Sequence, residues 1–329
     1  MSNPFKPGQP RLVYSAGYNT DLAAYGIDKP FALDRGELVL KKLEQDFGHA
    51  IPTLQPEPIT DEEILLVHTA SYLEALGKDR TWLDIFEFKD DEYKPVHESK
   101  LLWTMLDDIR IKSGGTKLAC EIALDRQLAA NLGGGYHHAF PDRGRGFCVI
   151  HDIAIALKVL LSENRIKRAM IIDLDFHQGD GSALIFKDDP NVFTLSVHSK
   201  EGWPEDKQQS DLDVEIGEHE ADTYLMRTKG AVVHALDRFT PDLVVFVAGS
   251  DAYEKDVLPG TRFLNLPLET MWQRDKWVID TCIDLGVPLA MVFAGGYGPD
   301  VWEVHFGAVK HLLIQSGERS SLSGFTQDK

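Results

Sequence analysis

The chain has 329 residues, enough for two average domains of about 150 or for one larger α/β unit. Hydrophobic residues make up 43% and charged residues 26%, which excludes disordered, collagen-like and disulfide-rich classes and allows a sizeable core. Against 34 basic residues stand 52 acidic ones, and the net charge of −18 disfavours nucleic acid and anionic membranes as partners while mildly favouring cationic substrates.

Met1–Arg11 holds three prolines and two basic residues but no apolar run suited to a signal peptide or a membrane span, so a soluble, unprocessed chain is expected. Cys120, Cys148 and Cys282 form no CxxC pair, which argues against a disulfide framework or a thiolate zinc site and fits a cytoplasmic location. Between Arg80 and His97, Trp82, Phe86, Phe88 and Tyr93 interleave with Asp84, Glu87, Asp90, Asp91 and Glu92. Two readings are open: a loop over a pocket mouth that selects a cationic substrate, or, the favoured one, a surface insertion whose aromatics pack on the domain or a partner subunit.

Further along, helical periodicity predicts helices over Gly115–Ala130, Asp152–Asn164, Ala221–Arg238, Glu269–Leu285 and Pro299–Gln315. They alternate with apolar, Val/Ile-containing strands over Arg168–Asp175, Val192–His198, Leu243–Gly249 and Val287–Ala294. Such βα repetition predicts an α/β class fold, a three-layer α/β/α domain around a central parallel sheet. No linker or fixed-period repeat interrupts it, so residues 1–329 read as one domain with a core over 11–315 and a fraying polar tail, Glu318–Lys329.

Four short segments carry chemistry. Gly133–Gly134–Gly135–Tyr136–His137–His138 lacks phosphate-loop spacing, but its glycines allow close backbone approach and can aim both imidazoles inward. Paired imidazoles beside an activated water can take one proton and give another, though a histidine pair is also a common surface or core accident. In Asp173–Leu174–Asp175–Phe176–His177 three polar side chains spaced by two share one strand face at the end of a buried strand. Buried carboxylates need compensation, which a divalent cation of the zinc type or a monovalent ion would give; a helix cap is the alternative. Ser250–Asp251 places another acid at a strand's carboxyl end, where α/β sheets bind ligands, and completes a set of two carboxylates and one histidine with an open position. Gly295–Gly296–Tyr297–Gly298 offers either a hydroxyl for an oxyanion or an aromatic turn plug.

Together these segments resemble the metal-dependent histone deacetylase family with its arginase/deacetylase fold, and the His177–Gln178–Gly179 motif most resembles class IV members and bacterial relatives. The likeness spans Tyr14–Leu313 through Val67–His68–Thr69–Ala70–Ser71–Tyr72–Leu73, Asn131–Leu132–Gly133–Gly134–Gly135–Tyr136–His137–His138–Ala139, Gly146–Phe147–Cys148, Asp173–Gly181, Gly249–Ser250–Asp251 and Gly295–Gly296–Tyr297. It implies a zinc-dependent deacylase, with ferrous iron as an alternative metal in the cell, whose metal ligands are Asp175, His177 and Asp251. By the same resemblance Tyr297 polarises the scissile carbonyl, and His137 and His138 act as the acid/base pair with Asp173 and Asp180 as partners. His138 is assigned as the base and His137 as the electrostatic partner. Gly146, Phe147 and Trp203 would shape the acyl tunnel. Potassium would occupy an inner site at Asp173, Asp175, His177, Ser196 and Val197 and an outer one at Phe186, Asp189 and Val192.

Two departures stand out. The family's Asn–Asp is His151–Asp152 here, read as a helix-cap change, and Glu254–Lys255 replaces the usual glycine before Asp256, which alters the pocket rim. The resemblance implies an acylated lysine as substrate and an acylated polyamine as the rival. An arginase-like hydrolase would need a second metal, and a silent acyl-ligand sensor would not keep the whole polar set. Acyl length and oligomeric state have no signature in the sequence.

Overall fold

The computed structural model describes residues 9–89, 92–95 and 99–317. Asp90, Asp91 and His97 of the aromatic and acidic stretch, and the tail expected to fray, lie outside the described residues. Among the described residues eight strands, all parallel, make one sheet: β1 (Leu12–Val13), β2 (Thr53–Leu54), β3 (Leu128–Asn131), β4 (Ala169–Asp173), β5 (Val192–Ser199), β6 (Leu212–Ile216), β7 (Leu243–Val247) and β8 (Leu289–Val292). Their order is β2-β1-β3-β8-β7-β4-β5-β6. The helices are α1 (Arg35–Phe47), α2 (Asp61–Ile64), α3 (Ala70–Ala75), α4 (Asp79–Ile85), α5 (Leu106–Arg126), α6 (Asp152–Ser162), α7 (Asp180–Phe186), α8 (Tyr224–Arg238), α9 (Leu268–Leu285) and α10 (Trp302–Gln315).

Strand alternation sorts the core into two layers. Met170, Ile172, Val244 and Phe246 face one apolar cluster with residues of α1, α8, α9 and α10; Ile171, Val245 and Val247 face the other with residues of α5 and α6. Both faces are therefore dry, as the continuous apolar runs of β4, β7 and β8 require. Among the described residues no helix is long and apolar enough to cross a membrane.

One predicted helix needs correction. Gly115–Ala130 joins the end of α5 to all but the last residue of β3, because alanine favours helices and the periodicity does not break at the join. Gln127 breaks it instead, with φ of 71°, and Leu128–Asn131 pair with β1 and β8. The described residues of the 80–97 stretch pack largely on the rest of the chain: Trp82 is fully buried and donates Nε1–H to Leu76 O at 2.8 Å, and Phe88 meets Tyr93 with centroids 5.6 Å apart. Phe86 is the exception, since it also lines a cavity bordered by His137, His138 and Tyr297.

Candidate active site

Because β3, β8, β7 and β4 are consecutive and parallel, their carboxyl ends open on one edge, and each delivers one of the four segments there. The His137–His138 segment thus follows a strand as the other three do.

Asp175, His177 and Asp251 come together with their ligand atoms within 4.8 Å of one another, all buried. His177 Nδ1 lies 2.9 Å from Asp251 Oδ2 and 3.3 Å from Asp175 Oδ1. The second oxygen of each carboxylate is held by a backbone donor: Asp175 Oδ2 accepts from Gly295 N–H at 2.8 Å and Asp251 Oδ1 from Phe176 N–H at 2.9 Å. Side chains are excluded around them, since a Cβ on Gly249 would stand 2.2 Å from Asp175 Oδ2 and one on Gly295 2.4 Å from Asp251 Oδ2. Burial would lower the His177 pKa, yet Asp175 and Asp251 hold it up at about 10, while burial and then Asp175 push Asp251 above the usual carboxylate range. Two dry carboxylates thus draw a positive charge between them, and their oxygen and imidazole donors fit a divalent ion of the zinc type.

The two histidines flank this triad, with ring centroids 3.9 Å apart. His137 Nδ1 is 2.7 Å from Asp173 Oδ2, and His138 Nδ1 is 2.6 Å from Asp180 Oδ1. Burial opposes charge on both. At His137 the carboxylates of Asp173 and Asp175 overturn it and lift the pKa to about 9; at His138 burial and then the neighbouring His137 charge lower it to about 4. Their loop is pinned by Asp152, which accepts from Gly135 N–H at 2.8 Å and Tyr136 N–H at 2.7 Å. His151 caps α6, its Nδ1 accepting from Ala154 N–H at 3.1 Å.

Tyr297 borders the same cavity as Phe147 and Gly146. Phe31, which no motif had marked, completes the wall, 5.0 Å from Phe147 and 5.9 Å from Tyr297 between centroids. Phe147 takes a left-handed φ of 65°, which turns the loop back past Gly146. Trp203 stands edge-on to His138 at 4.7 Å, and a Cβ on Gly146 would come within 2.7 Å of its ring. Of the potassium candidates, Asp173, Asp175 and His177 belong to the site itself, while Ser196, Val197 and Val192 lie on β5, Phe186 ends α7 and Asp189 follows it. Ser196 pairs in register with Asp173, and Val197 is buried beside it. Phe186 and Val192 belong to an apolar cluster, and Asp189 binds Lys158 Nζ at 2.7 Å.

Asp256, in the loop with the altered rim sequence, grips Tyr297 from behind. Its Oδ2 accepts from Tyr297 N–H at 2.7 Å, while Val257 N–H donates to Tyr297 O at 3.1 Å. Burial, then the charge of Asp251, pushes the Asp256 pKa up to about 7 against hydrogen bonds from Leu258 and Tyr297 N–H and the Thr261 hydroxyl. Its contribution to stability is therefore full below the ordinary 3.8 and lost as pH rises through about 7. A protonated carboxyl is also the poorer acceptor, so kcat/KM should fall as acid pH protonates Asp256, and Asp256→Asn should flatten that limb; an unchanged profile would free Tyr297 from this control.

Three further groups escaped the sequence reading. Arg274, fully buried in α9, donates to Leu174 O at 2.8 Å and Gly249 O at 3.0 Å, the carbonyls leading into the two ligand segments. Arg35 donates to Ala294 O and Gly295 O, and His305 Nε2 lies 3.1 Å from Ala248 O. A usable signal existed for Arg274: it falls on the apolar stripe of α9 with Met271 and Val278.

Comparison with known proteins agrees with this geometry. Residues 29–312 match the family model described as the histone deacetylase domain. Histone deacetylase 2 of Arabidopsis thaliana is 32% identical over 313 residues, covering 92% of this chain and 79% of its own. An uncharacterised Picosynechococcus protein is 40% identical over 207 residues, 63% of this chain and 67% of that one. Among solved structures, an acetylpolyamine aminohydrolase from Burkholderia pseudomallei superposes with a TM-score of 0.68 at 18% identity over 92% of this chain and 98% of its own, a likeness of fold. A parallel α/β sheet with this edge, a match over most of the chain and relatives of that kind have one meaning: the protein belongs to the histone deacetylase family and is a hydrolase of acyl amide bonds.

Proposed function

We propose that the protein is a cytoplasmic, zinc-dependent deacylase that frees the side-chain amine of an acylated lysine, with ferrous iron able to replace zinc and with potassium held near Asp173, Asp175, His177, Ser196 and Val197. The observation that carries this reading is the pair of separate imidazole–carboxylate contacts, His137–Asp173 and His138–Asp180, on either side of the buried ligand triad. A divalent ion held by Asp175, His177 and Asp251 supplies Lewis acidity at the acyl oxygen and makes water a better nucleophile. His138, kept neutral, has a free ring nitrogen to accept the water's proton, and that proton must reach the departing amine, which leaves poorly as an anion. His137, kept charged by its carboxylates, adds positive potential beside the developing oxyanion. Tyr297 donates a hydrogen bond to the same oxygen. Phe31 and Phe147 enclose the methylenes of the lysine side chain, and Trp203 limits how far His138 can swing.

A small polyamine as acyl carrier is the second reading, supported by Glu87. This residue follows the cavity-lining Phe86, has φ of 55°, and carries a carboxylate that feels Lys29 and His177. The test is amine release from acetyl-lysine peptides and acetylated polyamines before and after chelation. We expect chelation to remove at least about a thousandfold of the rate and one equivalent of zinc per chain to restore it, with the peptide preferred. Preference for the polyamine would move the assignment to the second reading, and tight binding of acyl ligands without release at full metal loading would make the protein a sensor.

A further inference from the structure

The cavity bordered by Asp175 and His177 also runs past Leu132 and Gly133 to Tyr18, Thr20 and Leu22, and to a face of Met105, Ile109 and Lys112 at the start and along the first turns of α5. Most of that lining is apolar, and Lys112 is not. Its side chain is 6% exposed, and its Nζ donates to Thr20 Oγ1 at 2.9 Å. Among the described residues no carboxylate forms an ion pair with it. Asp108 lends a distant negative charge, whereas Arg35, a second cation on the same cavity, repels it, and burial lowers the Lys112 pKa to about 8. The neighbouring polar groups are committed elsewhere: the Tyr18 hydroxyl donates to Asn131 Oδ1 at 2.7 Å, and the Asn131 amide donates to the Lys112 carbonyl at 3.1 Å. An ammonium carries three N–H bonds, so two remain for whatever enters the cavity. A buried cation without a counter-charge is costly, and the cheapest compensation here is an anion brought by the ligand.

We propose that this chamber is an anion subsite in which Lys112 receives a carboxylate at the far end of the acyl group, so that the protein prefers lysine amides of dicarboxylic acids. The inference rests on the deacylase reading above. Leu22, Met105 and Ile109 cover the methylenes of such a chain. Water cleaves the amide C–N bond as it does for an acetyl group, giving the free amine and a dicarboxylate.

The experiment compares kcat/KM of the zinc-loaded full chain on butyryl-, succinyl- and glutaryl-lysine peptides, with an acetyl-lysine peptide as reference. We expect an acidic acyl group to exceed butyryl by about tenfold or more, the worth of one charge-assisted hydrogen bond. Lys112→Met should collapse that ratio and Lys112→Arg should keep most of it; a ratio near one in the unaltered protein, or one that Lys112→Met leaves intact, overturns the proposal. Acetate added as an inhibitor separates the other source of a carboxylate. If Lys112→Met relieves acetate inhibition without altering the acyl ratio, the site serves released product and the substrate assignment fails. Calorimetric titration with glutarate gives an independent readout. Glutarate binding that needs Lys112 supports the subsite even if no peptide is cleaved, a result that would refute the deacylase reading alone, and absence of binding together with cleavage of acetyl-lysine refutes only the subsite. Should Lys112→Met fail to fold, Thr20→Val, which removes the hydroxyl that orients the ammonium, should lower the same ratio.

Discussion

Arg274→Met should destabilise the protein by about 3–5 kcal/mol, the usual consequence of removing one partner from a buried ion pair. Arg274 and Asp275 are both fully buried, with Nε donating to Asp275 Oδ1 at 2.6 Å. Burial raises the Asp275 pKa to about 6, and the Arg274 charge is what opposes a further rise. Without the guanidinium, Asp275 must take up a proton or remain an uncompensated anion, and the carbonyls of Leu174 and Gly249 lose their donors as well. Those carbonyls precede Asp175 and Asp251, so zinc affinity should fall together with stability. Urea unfolding of the zinc-free proteins isolates the first effect, and competition with a chelator measures the second. The double variant Arg274→Met with Asp275→Leu should regain part of the stability but not the zinc affinity, because the two carbonyls stay unsatisfied. A single variant within about 1 kcal/mol of the parent would show that the pair relaxes into solvent.

Tyr297→Phe should reduce kcat by about a hundredfold to a thousandfold with KM nearly unchanged, the size of effect seen when one oxyanion donor is removed. Only the hydroxyl is lost. The ring keeps its neighbours Phe31 and Phe147, and the backbone keeps its clasp between Asp256 and Val257. Burial, then the charges of Asp251 and Asp175, hold the Tyr297 pKa well above 10, so the hydroxyl remains a donor throughout the working range and contributes no alkaline limb. Metal content of the variant, measured by mass spectrometry, should equal the parent's. More than about a tenth of the parental kcat would remove Tyr297 from the oxyanion.

The sequence is most transparent where the physics is one-dimensional. Long apolar runs made β4, β5, β7 and β8 readable, and polar residues at their ends drew attention to Asp175, His177, Asp251 and Tyr297. β1 and β2, two residues each, have no period to detect, and β3 is alanine-rich enough to pass for helix. Their pairing is decided by neighbours more than a hundred or forty residues away in the chain, which no local window contains. Phe31 and Lys112 reach the cavity by tertiary placement alone; nothing adjacent to either sets it apart from an ordinary core phenylalanine or surface lysine. The aromatics Trp82, Phe86, Phe88 and Tyr93 show the reverse case, where a suggestive composition is mostly packing.

The strand order has a consequence for how the protein is made. β8 lies between β3 and β7, so it alone joins a three-strand half, β2-β1-β3, to a four-strand half, β7-β4-β5-β6. It is also the last of these eight strands to leave the ribosome. Until it arrives, the facing edges of β3 and β7 present unpaired backbone groups, a surface open to wrong pairing with other chains. A nascent chain whose β8 has not yet emerged would therefore hold two incomplete half-sheets and should depend on chaperones, whereas emergence of Leu289–Val292 supplies the strand that pairs with both edges.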